Sequence, residues 1–172
     1  NAWRSQQPWL ALLAAAGLAA SGCTRTLHQE DFFFPRRHVV IPDGIERRNL
    51  EVTAADGTLL RGWLLLPAQP AGALIHFYGN AETVQDVEQR LCWLADRLKL
   101  AVLAVEYRGY GLSDGTPSFA ALLADAPLVH DALLRQLGGA DGPVIVHGRS
   151  MGSFLALQLA VERPVDGLIL ES

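Results

Sequence analysis

The strongest chemical signal in the sequence is a serine between two glycines, in Gly148-Arg149-Ser150-Met151-Gly152. It directly follows the apolar run Val144-Ile145-Val146 and precedes a helix-type pattern. A sharp turn from a buried strand into a helix would lift the serine hydroxyl above the edge of a sheet, and small residues are needed at 148 and 152 because side chains there would collide with backbone. We therefore predict that Ser150 is a nucleophile. The alternative is a serine that only caps the helix.

Two backbone N–H groups are predicted to stabilise the negative charge that develops on a substrate oxygen. The first belongs to Met151, at the start of a helix whose dipole favours such charge. The second is expected in the loop that follows an earlier strand, His76-Phe77-Tyr78-Gly79-Asn80-Ala81-Glu82. Within this loop we select the N–H of Asn80.

Nothing in the sequence predicts a cofactor, a metal or a nucleic-acid partner. Gly109-Tyr110-Gly111 with Gly115 imitates a dinucleotide-binding loop, but Pro117 and Ser118 delay the helix and the final spacing is one residue too long. The net charge of −4 also gives no reason to expect nucleic-acid binding.

The elements that would position these residues alternate between strands and helices. Strands are predicted at 50–53, 59–66, 73–77, 101–105, 144–146 and 167–170, and helices at 84–98, 118–137 and 154–161. Pro127 is expected to kink or divide the second helix. Continuous apolar strands alternating with helices predict an α/β domain over residues 49–172, with a mostly parallel sheet entered through an antiparallel hairpin whose turn is Asp56-Gly57.

The amino-terminal segment has the composition of an export signal. An apolar run from Trp9 to Ala20 follows Arg4 and ends in small residues, which predicts a signal peptide over residues 1–22. The run is too short to cross a bilayer comfortably, and a buried helix is the alternative. Residues 23–48 are interpreted as a tether, in which Phe32-Phe33-Phe34 could touch lipid but are expected to pack on the domain.

The end of the signal, Leu18-Ala19-Ala20-Ser21-Gly22-Cys23, resembles the lipobox of bacterial lipoproteins. The resemblance implies that Cys23 is acylated and anchors the protein to a membrane of the bacterial envelope, the outer membrane if the source is Gram-negative, because Thr24 is not aspartate. Ala20 stands where leucine is usual, so a plain signal with an accidental cysteine remains the alternative. If Cys23 carries lipid, Cys92 is the only thiol left and is expected to pack in a helix.

From Leu50 to Ser172 the chain resembles the Bem46-like and ABHD-type α/β hydrolases. Three ordered motifs carry the resemblance: Tyr78-Gly79-Asn80-Ala81, Tyr107-Arg108-Gly109-Tyr110-Gly111-Leu112-Ser113 and Gly148-Arg149-Ser150-Met151-Gly152-Ser153. It implies the α/β-hydrolase fold and hydrolysis of a small acyl substrate. Tyr78 replaces the usual histidine and Glu106 the usual aspartate, and Tyr78 could either fill the histidine's structural place or direct its hydroxyl into the site.

The histidine and acid that a serine nucleophile needs are expected beyond residue 172. In this fold both follow the serine, yet no histidine follows Ser150, and the later carboxylates are Glu162, Asp166 and Glu171. His147 is expected to pack. We interpret the chain as the amino-terminal part of a longer hydrolase domain, inactive alone. Esters are the favoured substrates, with amides or thioesters as options, and no oligomeric state is indicated. The alternative is a non-catalytic envelope lipoprotein that uses the fold to bind.

Overall fold

The computed structural model describes Phe33, residues 47–139 and residues 141–172. The predicted signal peptide, Cys23 and the tether lie outside the described residues, apart from Phe33 and residues 47–48. The described part forms six strands and three helices; the first three strands are consecutive, and helices and strands alternate after them. The strands are β1 Arg48–Thr53, β2 Leu59–Leu65, β3 Ala73–Phe77, β4 Ala101–Val105, β5 Val144–Arg149 and β6 Gly167–Glu171. The helices are α1 Val84–Leu98, α2 Phe119–Leu137 and α3 Gly152–Glu162.

The six strands form one sheet in the order β1-β2-β4-β3-β5-β6. β1 pairs antiparallel with β2, and β2 with β4, whereas the pairs β4 with β3, β3 with β5 and β5 with β6 are parallel. The predicted mixed sheet with an antiparallel entry is confirmed. Because β3, β4 and β5 are parallel neighbours, the loops that follow them all emerge at one edge of the sheet.

The core is centred on the two inner strands β3 and β4, in which every residue is buried. Helix α1 buries Val84, Val87, Leu91 and Ala95, at the spacing of one helical face. Phe33 is buried as well, and its ring lies 4.9 Å from that of Phe119 between centroids. The expectation that the aromatic cluster packs on the domain is confirmed for this residue.

Helix ends follow the capping residues of the sequence. Thr83 and Asp86 form a reciprocal capping box at the start of α1, and Ser118 caps α2 as predicted. The predicted division of α2 at Pro127 is wrong, because the helix runs unbroken from Phe119 to Leu137. Pro127 is buried in the helix's core-facing side, so packing holds the helix together despite the missing N–H.

Strand β6 lies at the edge of the sheet and leaves much of its apolar surface exposed. Leu168, Ile169 and Leu170 are 38%, 50% and 51% exposed.

Cys92 packs against the core from α1, as expected. None of the helices in the described part of the chain has the length and apolar character needed to cross a membrane.

Candidate active site

Ser150 occupies the sharp turn between β5 and α3. Its φ of +50° lies in the left-handed region, which is unfavourable for a residue with a side chain by about 1–3 kcal/mol. The side chain is exposed, and the Ser150 N–H donates to the carbonyl of Glu171 over 2.7 Å. Met151 holds the N-cap position of α3, with no side chain capping that helix. The Ser150 hydroxyl is therefore not used as a cap.

The two glycines that flank Ser150 allow a very close approach of neighbouring backbone. A Cβ on Gly152 would lie 2.2 Å from the carbonyl oxygen of Phe77, and one on Gly148 would lie 2.5 Å from that of Gly152. The predicted need for small residues at both positions is confirmed. The same contacts seat the turn directly against the end of β3.

Asn80 lies in the loop between β3 and α1, where its side chain is held by a neighbouring loop. The hydroxyl of Tyr110 donates to Asn80 Oδ1 over 2.7 Å, and the N–H of Ala81 donates to the same oxygen over 2.9 Å. Ala81 itself has a φ of +64°. The glycine-rich loop that contains Gly109, Tyr110 and Gly111 therefore holds the loop that carries the predicted donor Asn80.

Asn80, Ser150 and Met151 line one open cleft of about 530 Å³. The rings of Phe119 and Phe154 form part of its apolar wall. The structure thus brings together the three residues selected from the sequence. An exposed serine hydroxyl at the start of a helix, in a cleft that the Asn80 loop also lines, is an arrangement suited to acyl transfer.

A comparison with protein families identifies the chain. The family model described as "Serine aminopeptidase, S33" matches residues 68–172, more than half of the chain. The chain belongs to this family of α/β hydrolases. The resemblance to Bem46-like hydrolases is also confirmed, since Bem46 of Schizosaccharomyces pombe is 26% identical over 74% of this chain and 44% of its own length.

Other relatives of this α/β hydrolase cover similar shares of the chain. YfhR of Escherichia coli O157:H7, named as uncharacterized, is 33% identical over 80% of this chain and 50% of its own length. A carboxyl esterase from Bacillus coagulans has the same fold, with a TM-score of 0.62 and 20% identity over 74% of this chain and 44% of the esterase. The chain spans about half the length of the relatives it matches.

Charged side chains of this hydrolase link the Ser150 turn to the Asn80 loop. Arg149 donates to Glu82 over 2.5 Å, and the other carboxylate oxygen of Glu82 accepts the N–H of Gly79 over 2.8 Å. Glu171 forms ion pairs with Arg149, at 3.3 Å, and with Arg90. The hydrogen bond from Arg90 is the main cause that lowers the pKa of Glu171 to about 2. The sequence analysis assigned no role to Glu82 and Arg149, although Arg149 lies within the motif at 148–153 and Glu82 directly follows the motif at 78–81.

Two buried histidines lie side by side on β3 and β5, and their polar contacts are with each other and Glu171. His76 Nδ1 is 3.2 Å from His147 Nδ1, and His147 Nε2 is 3.3 Å from Glu171. If His147 donates to Glu171, its Nδ1 accepts from His76. Burial lowers both pKa values, that of His76 to about 3 with the neighbouring His147 contributing. His147 packs as expected, and its two nitrogens face His76 and Glu171.

We expect the buried His76 to make the protein less stable as the pH falls. Its folded pKa is below the ordinary value of 6.5, so the unfolded chain binds the proton first, and stability is lost between pH 6.5 and about 3. Each pH unit in that window lowers the free energy of unfolding by up to about 1.4 kcal/mol. Urea unfolding of wild type and His76→Phe at pH 7, 6, 5 and 4 measures the difference. Equal slopes in both proteins would contradict the expectation.

Tyr78 points its side chain into the interior of the domain. It is completely buried, and its hydroxyl donates to Glu106 Oε2 over 2.5 Å. Burial raises the pKa of Glu106 to about 7 and holds that of Tyr78 well above its usual range. Of the two roles left open by the sequence, the hydroxyl therefore serves an internal hydrogen bond.

Proposed function

We propose that this α/β hydrolase is a serine hydrolase that cleaves an ester, or an amide or thioester, through an acyl-enzyme intermediate. The observation that carries the proposal is the position of Ser150, at a left-handed turn in a cleft that Asn80 and Met151 also line. Strain at such a residue often marks a functional site.

In the proposed mechanism, Ser150 Oγ attacks the acyl carbonyl carbon and transfers its proton to a base. The N–H groups of Met151 and Asn80 hold the negative oxygen of the tetrahedral intermediate. The alcohol then leaves with a proton, and water hydrolyses the Ser150 ester in the reverse sequence. Loss of one such N–H donor raises the barrier by about 3 kcal/mol, and we expect Asn80→Pro to do so.

The base and its orienting acid remain part of the proposal, and we assign them to residues beyond 172. The described histidines support this assignment. His147 faces His76 and Glu171, His76 is completely buried, and His130 is buried on α2 beside Asp131. An unassisted serine hydroxyl is a weak nucleophile, so residues 1–172 alone are expected to be nearly inert.

A fluorophosphonate probe tests the proposed function. In the full-length gene product we expect one probe per molecule, located on Ser150 by mass spectrometry, together with turnover of short-chain p-nitrophenyl esters. The isolated 172-residue chain, folded by circular dichroism, serves as the control and should label slowly or not at all. Labelling of the isolated chain at the full-length rate would show that a described residue acts as the base.

The second candidate is a non-catalytic envelope lipoprotein that uses the hydrolase fold to bind a ligand. The observation in its favour is that the polar contacts of the described His76 and His147 are with each other and with Glu171. The same probe separates the two functions, because a folded full-length protein that neither labels at Ser150 nor turns over esters supports the binding module.

We further propose that the protein is anchored to the bacterial envelope through lipid on Cys23. The support is the apolar run and the small residues before this cysteine. Cells grown with an alkyne-labelled fatty acid should produce labelled protein in the membrane fraction, and Cys23→Ala should remove the label. Cys92→Ala is the matched control, since Cys92 is the only other cysteine. Label retained in Cys23→Ala would refute the anchor.

A further inference from the structure

We propose that Tyr78 and Glu106 form a buried hydrogen-bonded pair that positions the Asn80 N–H for catalysis. The inference rests on the proposed function, in which this N–H binds the negative oxygen. Tyr78 directly follows β3 and lies two residues before Asn80, whereas Glu106 directly follows β4. The pair therefore joins the ends of two neighbouring strands at the sheet edge that carries the cleft.

Tyr78 is held at both its side chain and its backbone. Its hydroxyl donates to Glu106 over 2.5 Å and accepts the N–H of Tyr107 over 3.1 Å. The hydroxyl of Tyr107 in turn donates to the carbonyl of Tyr78 over 2.7 Å. The two rings are 4.4 Å apart between centroids. These contacts fix where the chain leaves β3 and therefore where Asn80 begins its loop.

The carboxylate of Glu106 connects the pair to two more parts of the site. Its Oε1 accepts the N–H of Val84, the first residue of α1, over 3.1 Å. A Cβ on Gly111 would lie 2.1 Å from the same oxygen, so the glycine-rich loop leaves room for the longer glutamate. The Asn80 loop is thus held at its beginning by Tyr78 and beyond its end through Val84.

The pair also adjoins the Ser150 turn. A Cβ on Gly152 would lie 2.7 Å from the carbonyl oxygen of Tyr78, so the turn rests on the backbone that the pair holds. A shift of Tyr78 would move the Asn80 loop relative to Ser150. Misplacement by about 1 Å can lower a rate on the order of 100-fold, because an oxyanion donor acts only at hydrogen-bond distance.

Both departures from the family pattern fall on these two partners. Tyr78 stands for the usual histidine and Glu106 for the usual aspartate, and the structure places their side chains in contact. In a fully buried environment, changing one partner alone leaves the other without its hydrogen bond. The two positions are consequently coupled in the structure, and changing both together should succeed where changing either one fails.

The test uses the full-length gene product and four variants: Tyr78→Phe, Tyr78→His, Glu106→Asp and the double Tyr78→His/Glu106→Asp. We expect Tyr78→Phe to lower kcat about 10- to 100-fold with KM little changed. The reason is that the Asn80 N–H, which this change would displace, stabilises the transition state in the proposed mechanism. Each single reversion should lower kcat at least as much, and the double variant should recover at least about tenfold over the worse single. Leu133→Val, a core change on α2, controls for general loss of stability.

Hydrogen exchange of the peptide covering residues 78–82 provides a readout that does not depend on activity. Exchange there should accelerate in the single variants and return towards wild type in the double variant, with α2 peptides unchanged. If wild type neither labels at Ser150 with the fluorophosphonate probe nor turns over ester, the proposed function fails while this readout still tests the positioning. Wild-type kcat and exchange in Tyr78→Phe, or a double variant no better than the worse single, would overturn the inference.

Discussion

The Ser150→Ala variant of the full-length gene product should lose on the order of 10⁴- to 10⁶-fold in kcat. In the proposed mechanism the hydroxyl is the group that bonds to the substrate's acyl carbon, and a variant without it retains only the acceleration that binding and the oxyanion donors supply. The fold should be unaffected, since the side chain is exposed and alanine has the same steric requirement at a φ of +50°.

Ser153→Ala is the matched control for this substitution. Ser153 follows Ser150 by three residues, and its hydroxyl donates to the carbonyls of Gly148 and Glu171, at 3.0 Å and 3.3 Å. Loss of these bonds should lower stability by about 1 kcal/mol and turnover by no more than about tenfold. Ester hydrolysis and thermal unfolding of both variants measure the contrast. A Ser150→Ala protein with turnover near that of Ser153→Ala would exclude Ser150 as the nucleophile.

Gly152→Ala should destabilise the protein by about 3 kcal/mol or more. The added Cβ would lie 2.2 Å from the carbonyl oxygen and 2.5 Å from the carbonyl carbon of Phe77. Both atoms belong to the backbone of a buried central strand, so no side-chain rotation can relieve the overlap. Helix α3 and β3 would have to separate, which also moves Ser150 away from the Asn80 loop.

Gly167→Ala provides the control at a glycine with ordinary space. The nearest atoms to its added Cβ are two side-chain carbons of Ile145, at 3.5 Å and 3.7 Å. We expect this variant to change stability by less than about 0.5 kcal/mol. Urea unfolding at pH 7 compares the two proteins. A Gly152→Ala variant as stable as Gly167→Ala would show that the turn can move without penalty.

Local pattern alone predicted most of the elements. The bounds of β3, β4 and α1 agree with the prediction, because their apolar runs are bounded by turn and capping residues. β5 extends three residues beyond its predicted end to Arg149, since Gly148 and His147 pair with β3 although neither is a strand-type residue. The predicted division of α2 at Pro127 was wrong. Proline removes a backbone N–H from a helix, but here the packing of the buried Pro127 side of α2 outweighs that loss.

For the site, the sequence by itself selected the residues to which we assign the chemistry in the proposed function. Ser150 and its glycines are adjacent in the chain, so a local turn and the strand and helix around it were enough to select them. The strand-then-loop pattern selected Asn80 in the same way. The membership in the α/β-hydrolase family that these motifs indicated is confirmed by the match over residues 68–172.

Only the tertiary structure decided how the loops are joined to one another. Tyr78 and Glu106 are 28 residues apart, and Glu82 and Arg149 are 67 apart. They meet because β3 lies between β4 and β5, an order that no local pattern specifies. Hydrogen bonds and ion pairs form over about 3 Å, so which side chains become partners depends on the packed sheet that brings the strand ends to one edge.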